Sequence, residues 1–171
     1  MRSFFGPLYF YSNIMKRLTH LRPDTDIPDM VNITNKPSIM RSAHAQARVT
    51  LPPDAMHYLI ENGMTTKKGS VIQVSILAGI MGAKRTGELI PLCHTLSLTG
   101  CSIDIQQEGN DFVIDCLTST HAQTGVEMEA LTGAGIAALT LYDMCKSLLK
   151  GTNESIQIRE IILLEKIKSM S

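Results

Sequence analysis

Apolar and polar positions along the chain fall into stretches of strand-like and helix-like period. AQARVTL (45–51) has the length and composition of a short strand, and Pro52-Pro53-Asp54 opens a helix through MHYLIEN that Gly63 closes. In SVIQVSILAGIMGAKRTGELI, Val71, Val74, Ala78 and Met81 recur at helical spacing, with Leu77 and Ile80 beside them. A second helix is therefore expected to run up to Pro91. LSLTGCSIDIQQ and DFVIDCLTS, parted by Glu108-Gly109-Asn110, read as a hairpin. Ile103 and Ile105 alternate there with Asp104 and Gln106, and Phe112, Ile114 and Cys116 with Val113, Asp115 and Leu117. A long helix over 126–149 follows, stopped by Gly151, with Leu131, Ala134, Ala138, Leu141, Cys145 and Leu148 as its apolar stripe. The last strand, 156–167, is expected to turn Ile156, Ile158, Ile161 and Leu163 to the core.

With one of the two early helices set aside as an addition, this order is βαββαβ. The expected class is α+β, a ferredoxin-like antiparallel sheet with helices on one face. No internal repeat or boundary divides it, so residues 18–171 read as one domain and 1–17 as an extension. That extension holds Arg2, Lys16 and Arg17, no acidic residue, and an apolar run broken by Gly6 and Pro7. It reads either as an organelle transit peptide or as an upstream translation ahead of a start at Met15; the run is too short to span a membrane. Residues 15–40, with Pro23, Pro28 and Pro37, read as an extended arm ordered where it lies on another surface.

Composition narrows the function. The chain has 171 residues, enough for one core, and its 44% apolar content with a formal net charge of +0 is that of a globular domain. A nucleic-acid binder acting through bulk charge is excluded, and Phe112 is the sole aromatic residue in the hairpin strands, too few for an RNA-stacking platform. Neither nucleic acid nor a membrane is an expected partner. Cys93, Cys101, Cys116 and Cys145 include no CxxC pair, which points to buried free thiols in a reducing compartment. The expected location is the cytoplasm, or the mitochondrial matrix if residues 1–17 are a transit peptide.

The ionisable groups of the long helix pose a geometric question. Glu127 and Glu129 stand at its head, where they either complement the helix dipole or share a pocket at the still-unwinding first turn. Asp143 and Lys146 at its tail are i,i+3 neighbours that can pair on the surface or, beside the apolar stripe, partly buried. Glu129 and Lys146 lie roughly 25 Å apart along an intact helix, so they cannot share a small-molecule site within one chain. Two antiparallel copies could bring head to tail, which predicts an oligomer with composite pockets. Elsewhere, Lys67-Lys68-Gly69 before a helix start suits a phosphate or an ordinary loop, and it is no Walker A loop. Lys84 and Arg85 fall where a helix end favours positive charge. His94, in the turn set by Pro91, reads as a proton-handling or a structural histidine, and His121 as a loop residue. No HExxH or PCxxC is present, so metal hydrolysis finds little support.

KKGSVIQVSILAGIMGAKRTGELIPLCHTL, followed by TGVEMEALTGAGIAALTLYDMCK, closely resembles the cyclic pyranopterin monophosphate synthase family, the molybdenum cofactor biosynthesis protein C, from about residue 18 to 166. The resemblance implies a ferredoxin-like fold and homohexamers built as trimers of dimers, with sites at subunit interfaces. It implies a lyase reaction on a GTP-derived pterin precursor. In it 3′,8-cyclo-7,8-dihydroguanosine 5′-triphosphate becomes cyclic pyranopterin monophosphate and pyrophosphate, with no cofactor or metal. Lys68 matches the lysine of the family's KGD, and Asp143 and Lys146 match YDMCK; the resemblance gives these three the catalytic roles. Substrate-binding roles fall to Cys93 and His94 of LCH, to Glu127, Met128 and Glu129 of GVEME, and to Lys166 of LLEK. The chain departs from the pattern at Asn32, Ser70, Ile76 and Thr95, and IKSMS (167–171) stands where the family carries a glycine-rich SGGKSG. An active enzyme is the favoured expectation. The alternative is a catalytically impaired relative that binds a nucleotide or a partner.

Overall fold

The computed structural model describes residues 25–169; the extension at 1–17, with both of its readings, lies outside them. In chain order the elements are β1 (Ile39–Thr50), α1 (Pro53–Glu61), β2 (Thr65–Thr66), β3 (Gly69–Ser70), α2 (Val71–Lys84), α3 (Thr86–Leu89), β4 (Gly100–Glu108) and β5 (Asp111–Ala122). Then come α4 (Glu127–Cys145), a 3₁₀ turn over Lys146–Leu149, and β6 (Gln157–Ser169). Four strands form one antiparallel sheet in the order β4-β5-β1-β6, while β2 and β3 make a separate miniature hairpin. This is the ferredoxin-like arrangement expected, with α2 as the helix that packs beside α4 and with α1, the miniature hairpin and α3 as additions before the second strand.

β1 starts six residues earlier than its apolar pattern indicates. Its inward positions, Ala43, Ala45, Ala47 and Val49, are buried, while Ser42, His44, Gln46 and Arg48 point to the other face. Alanine carries little hydrophobic signal, but its small side chain lets α4 settle close to the sheet. Ile103, Ile105, Phe112, Ile114 and Cys116 complete the strand side of the core. Val113 departs from the expected alternation, because it is buried too. α2 and α4 meet through glycine: a Cβ on Gly79 would stand 2.8 Å from the Gly133 carbonyl oxygen, and one on Gly133 would stand 2.6 Å from Cys116 Sγ.

Three expectations need correction. The second helix stops at Lys84 instead of running to Pro91, and Arg85 leaves the helical region at φ −106, ψ 12. Thr86 Oγ1 donates to the Ala83 carbonyl (3.0 Å), and Gly87 lies so close to Thr95 that a Cβ would stand 3.0 Å from its Cα. Ile156, just before β6, is buried and Ile158 within it half-buried, but Ile161 and Leu163 are exposed, at 44% and 37%. They lie opposite Ala47 and Ala45 on an edge strand with two register shifts, where only part of the strand is covered by α4. His121 lies in β5 and not in a loop, with Nδ1 2.8 Å from Ser38 Oγ.

Candidate active site

The groups at the tail of α4 gather around one carboxylate. Lys67 and Lys68 form the turn between β2 and β3, and Gly69 takes φ +108, a backbone region that glycine enters without strain. Ser70 then caps α2, its hydroxyl accepting from the Gln73 amide at 3.3 Å. Its oxygen thus retains a capping role that an aspartate could also fill. From this turn Lys68 Nζ donates to the Asp143 carbonyl oxygen and to Oδ2, both at 2.7 Å, while Lys146 Nζ reaches Oδ1 at 2.7 Å. The trio is exposed (Asp143 side chain 54%), so the partial burial considered for this pair is not found. The Lys146 and Lys68 ammonium groups hold the Asp143 carboxyl down at about 2, and Asp143 in turn raises Lys146. Lys146 is therefore an ammonium suited to donating a proton or neutralising an anion. As long as Asp143 stays paired to it, it makes a poor base. Beneath them burial pushes the Cys145 thiol up to about 12 and leaves it inert.

The head of α4 is built differently. β5 ends at Ala122, and the chain turns through Thr124-Gly125-Val126 into the helix, with Thr118 Oγ1 donating to the Val126 carbonyl at 3.1 Å. A Cβ on Gly125 would overlap the Glu127 carboxylate, so a larger residue there would displace that side chain. This turn, the 90–96 loop and the arm enclose a cavity of about 540 Å³. Cys93, His94, Glu127, Met128 and Glu129 all line it. Glu127 and Glu129, the first and third residues of the helix, both line it. Glu129 is only 4% exposed; burial, with Glu127 nearby, raises its carboxyl above the usual range. Burial, helped by Glu129, likewise raises the Cys93 thiol. Lys166 of β6 approaches Glu127 to 3.3 Å. His94 Nε2 lies 2.8 Å from the Val31 carbonyl, which can only accept, so that nitrogen carries the hydrogen.

Every residue to which the resemblance gives a catalytic or substrate-binding role thus falls into one of two groups: Lys68, Asp143 and Lys146 at the tail, and Cys93, His94, Glu127, Met128, Glu129 and Lys166 at the head. Seventeen residues of intact helix, roughly 25 Å, separate Glu129 from Lys146, so one chain does not bring the groups into one pocket. Of the four cysteines, all free, Cys116 and Cys145 are buried while Cys93 and Cys101 are half-buried. Among the described residues no group of histidine, cysteine, aspartate and glutamate is placed to hold a metal ion. The sequence reading missed the arm's part in the head cavity, where Val31, Ile33 and Lys36 form a wall. A turn signal was available: Thr34 N donates to Asn32 Oδ1 (2.9 Å) and Lys36 N to the Ile33 carbonyl (2.9 Å).

The model of the MoaC family matches residues 30–169. The chain is 47% identical over 133 residues, 77% of its length and 80% of the relative's, to the cyclic pyranopterin monophosphate synthase of Xanthomonas campestris pv. campestris (strain 8004). It is 43% identical over 138 residues to the protein of the same name from Parvibaculum lavamentivorans, covering 80% of this chain and 84% of that one. A molybdenum cofactor biosynthesis bifunctional protein of Synechocystis is 43% identical over 153 residues, which are 86% of this chain and 43% of that protein.

Proposed function

The chain belongs to the MoaC family, and we propose that it is a cyclic pyranopterin monophosphate synthase. It converts 3′,8-cyclo-7,8-dihydroguanosine 5′-triphosphate to cyclic pyranopterin monophosphate with release of pyrophosphate, in molybdenum cofactor biosynthesis. Within that family, the observation that carries the reading is the convergence of Lys68 and Lys146 on Asp143. Cyclisation onto the α-phosphorus expels a highly charged leaving group, and two adjacent ammonium groups are suited to neutralise it. Rearrangement of the purine-derived skeleton requires repeated proton transfers. Lys146, held as an ammonium by Asp143, is the proposed donor. Glu127 and Glu129 are proposed to accept hydrogen bonds from the amino and ring N–H groups of the base. Glu129, with its raised proton affinity, also suits a proton relay.

These roles belong to one reaction only if head and tail meet, so the proposed enzyme is a homo-oligomer, a hexamer of three dimers. In it the head of one α4 faces the tail of another. The separation along α4 supports this, as do the exposed apolar side chains Leu77, Met81, Leu139 and Tyr142 near these elements. The deciding experiment incubates purified protein with the cyclised triphosphate and follows pyrophosphate and the cyclic phosphate product; binding without either product rejects the enzyme reading. Mixing Lys146→Ala with Glu129→Gln should restore part of the activity. No recovery after demonstrated subunit exchange would count against the shared pocket.

A further inference from the structure

Lys36 stands at the wall of the head cavity and was not among the residues the sequence pointed to. An exposed lysine on an arm is ordinarily just solvated. Two observations set this one apart. The arm is held in place: His94 Nε2 donates to the Val31 carbonyl (2.8 Å), Gln123 Nε2 donates to the Thr34 carbonyl (3.3 Å), and the Lys36 amide closes a turn onto Ile33 (2.9 Å). Val31 and Ile33 are half-buried against the cavity, so Lys36 is presented at a set place. The second observation is the charge of the lining. Its two carboxylates, Glu127 and Glu129, lie on the α4 wall, and the nearby cation Lys166 is engaged by Glu127 at 3.3 Å. Among the described residues, Lys36 has no carboxylate partner and is the one lysine or arginine that lines the cavity.

The cavity is therefore polarised, with acceptors on the helix wall and a free ammonium on the arm wall. A ligand with N–H donors at one end and an oxyanion at the other fits it in one orientation. We infer that Lys36 is a specificity-determining residue that engages a phosphate oxygen of the nucleotide-derived substrate while the glutamates hold its base. This inference rests on the proposed function and adds a residue to it. The arm's contacts with His94 and Gln123 make it a positioned ligand rather than a floating charge.

Calorimetry with GTP, an unreactive triphosphate probe, and with guanosine tests this on wild type, Lys36→Ala and Lys36→Arg. In Lys36→Ala, GTP should bind at least about tenfold more weakly, the scale of one lost charge-assisted hydrogen bond, with guanosine within about twofold of wild type. Lys36→Arg should recover most of the loss, and the wild-type advantage should shrink as salt is raised. With the true substrate, KM should rise while kcat changes little. GTP binding by Lys36→Ala within about twofold of wild type overturns the inference. So does an equal loss of guanosine, which would mean that the arm had collapsed, and so does a wild type that does not prefer GTP. Absence of pyrophosphate release by the wild type would sink the proposed reaction and leave this probe comparison standing.

Discussion

The head and tail of α4 each present carboxylates, and the fold drives them in opposite directions. At the head Glu129 is 4% exposed, has a second carboxylate beside it, and gains proton affinity. At the tail Asp143 is open to water, lies between two ammonium groups, and loses proton affinity to a value of about 2. Neither group is special by residue type. Burial without a compensating cation raises one, and paired cations lower the other. The same helix thus carries a site able to take up or relay protons and a site that holds positive charge, kept apart by its own length.

The sharpest way to break this contrast is to remove a cation at the tail. Lys68→Ala or Lys146→Ala should lower turnover by about 10³-fold or more, the range for loss of a positioned acid–base group, while the oligomer stays assembled, as gel filtration and a steady-state assay would show. Between the two ends, Gly79→Ala or Gly133→Ala pushes α2 from α4 or crowds Cys116, and should cost about 1–3 kcal/mol in urea unfolding. At the head, Glu129→Gln removes a disfavoured charge but keeps the shape. Because the folded-state pKa of Glu129 is raised, the cost of ionising it is absent below the ordinary value of 4.5 and grows as pH rises through the folded pKa. The variant should therefore melt higher than wild type at pH 7.5, and the two should converge below pH 4.5. The smallest effect is expected for the stability of Asp143→Asn. The Asp143 carboxyl is depressed from 3.8, so its contribution is present above that pH and is lost as pH falls towards 2. Being exposed, the pair should shift the melting temperature at pH 7.5 by no more than about 2 °C. A large shift there would overturn the picture of a solvated tail.

Much of the fold could be read from the sequence, since turn residues and strong apolar periods mark the β4–β5 hairpin, α1 and α4. The first half of β1 escaped because the side that carries Ala43 also carries Arg41, so a charge and a small residue interrupt the apolar alternation there. The miniature hairpin that carries Lys68 has strands of two residues, shorter than any period. For Ile161 and Leu163 the alternation gave the correct face, but it could not reveal that α4 covers only part of that face. Site residues were easier to find than their grouping. Glu127 and Glu129 become partners through a helix start, and Lys68 meets Asp143 through a contact spanning 75 positions; neither local pattern encodes that distance. Lys36 lay in a polar arm whose role appears only once the wall it forms is seen.

The unbroken run of α4 also makes it a ruler with a phase. Each residue advances the helix by about 1.5 Å and turns it by about 100°. A single residue inserted between Gly133 and Leu141 would swing Asp143 and Lys146 about a third of the way round while Glu127 and Glu129 stayed put. Length changes in this helix should thus be far less tolerated than changes of equal size in the 150–156 loop just after it.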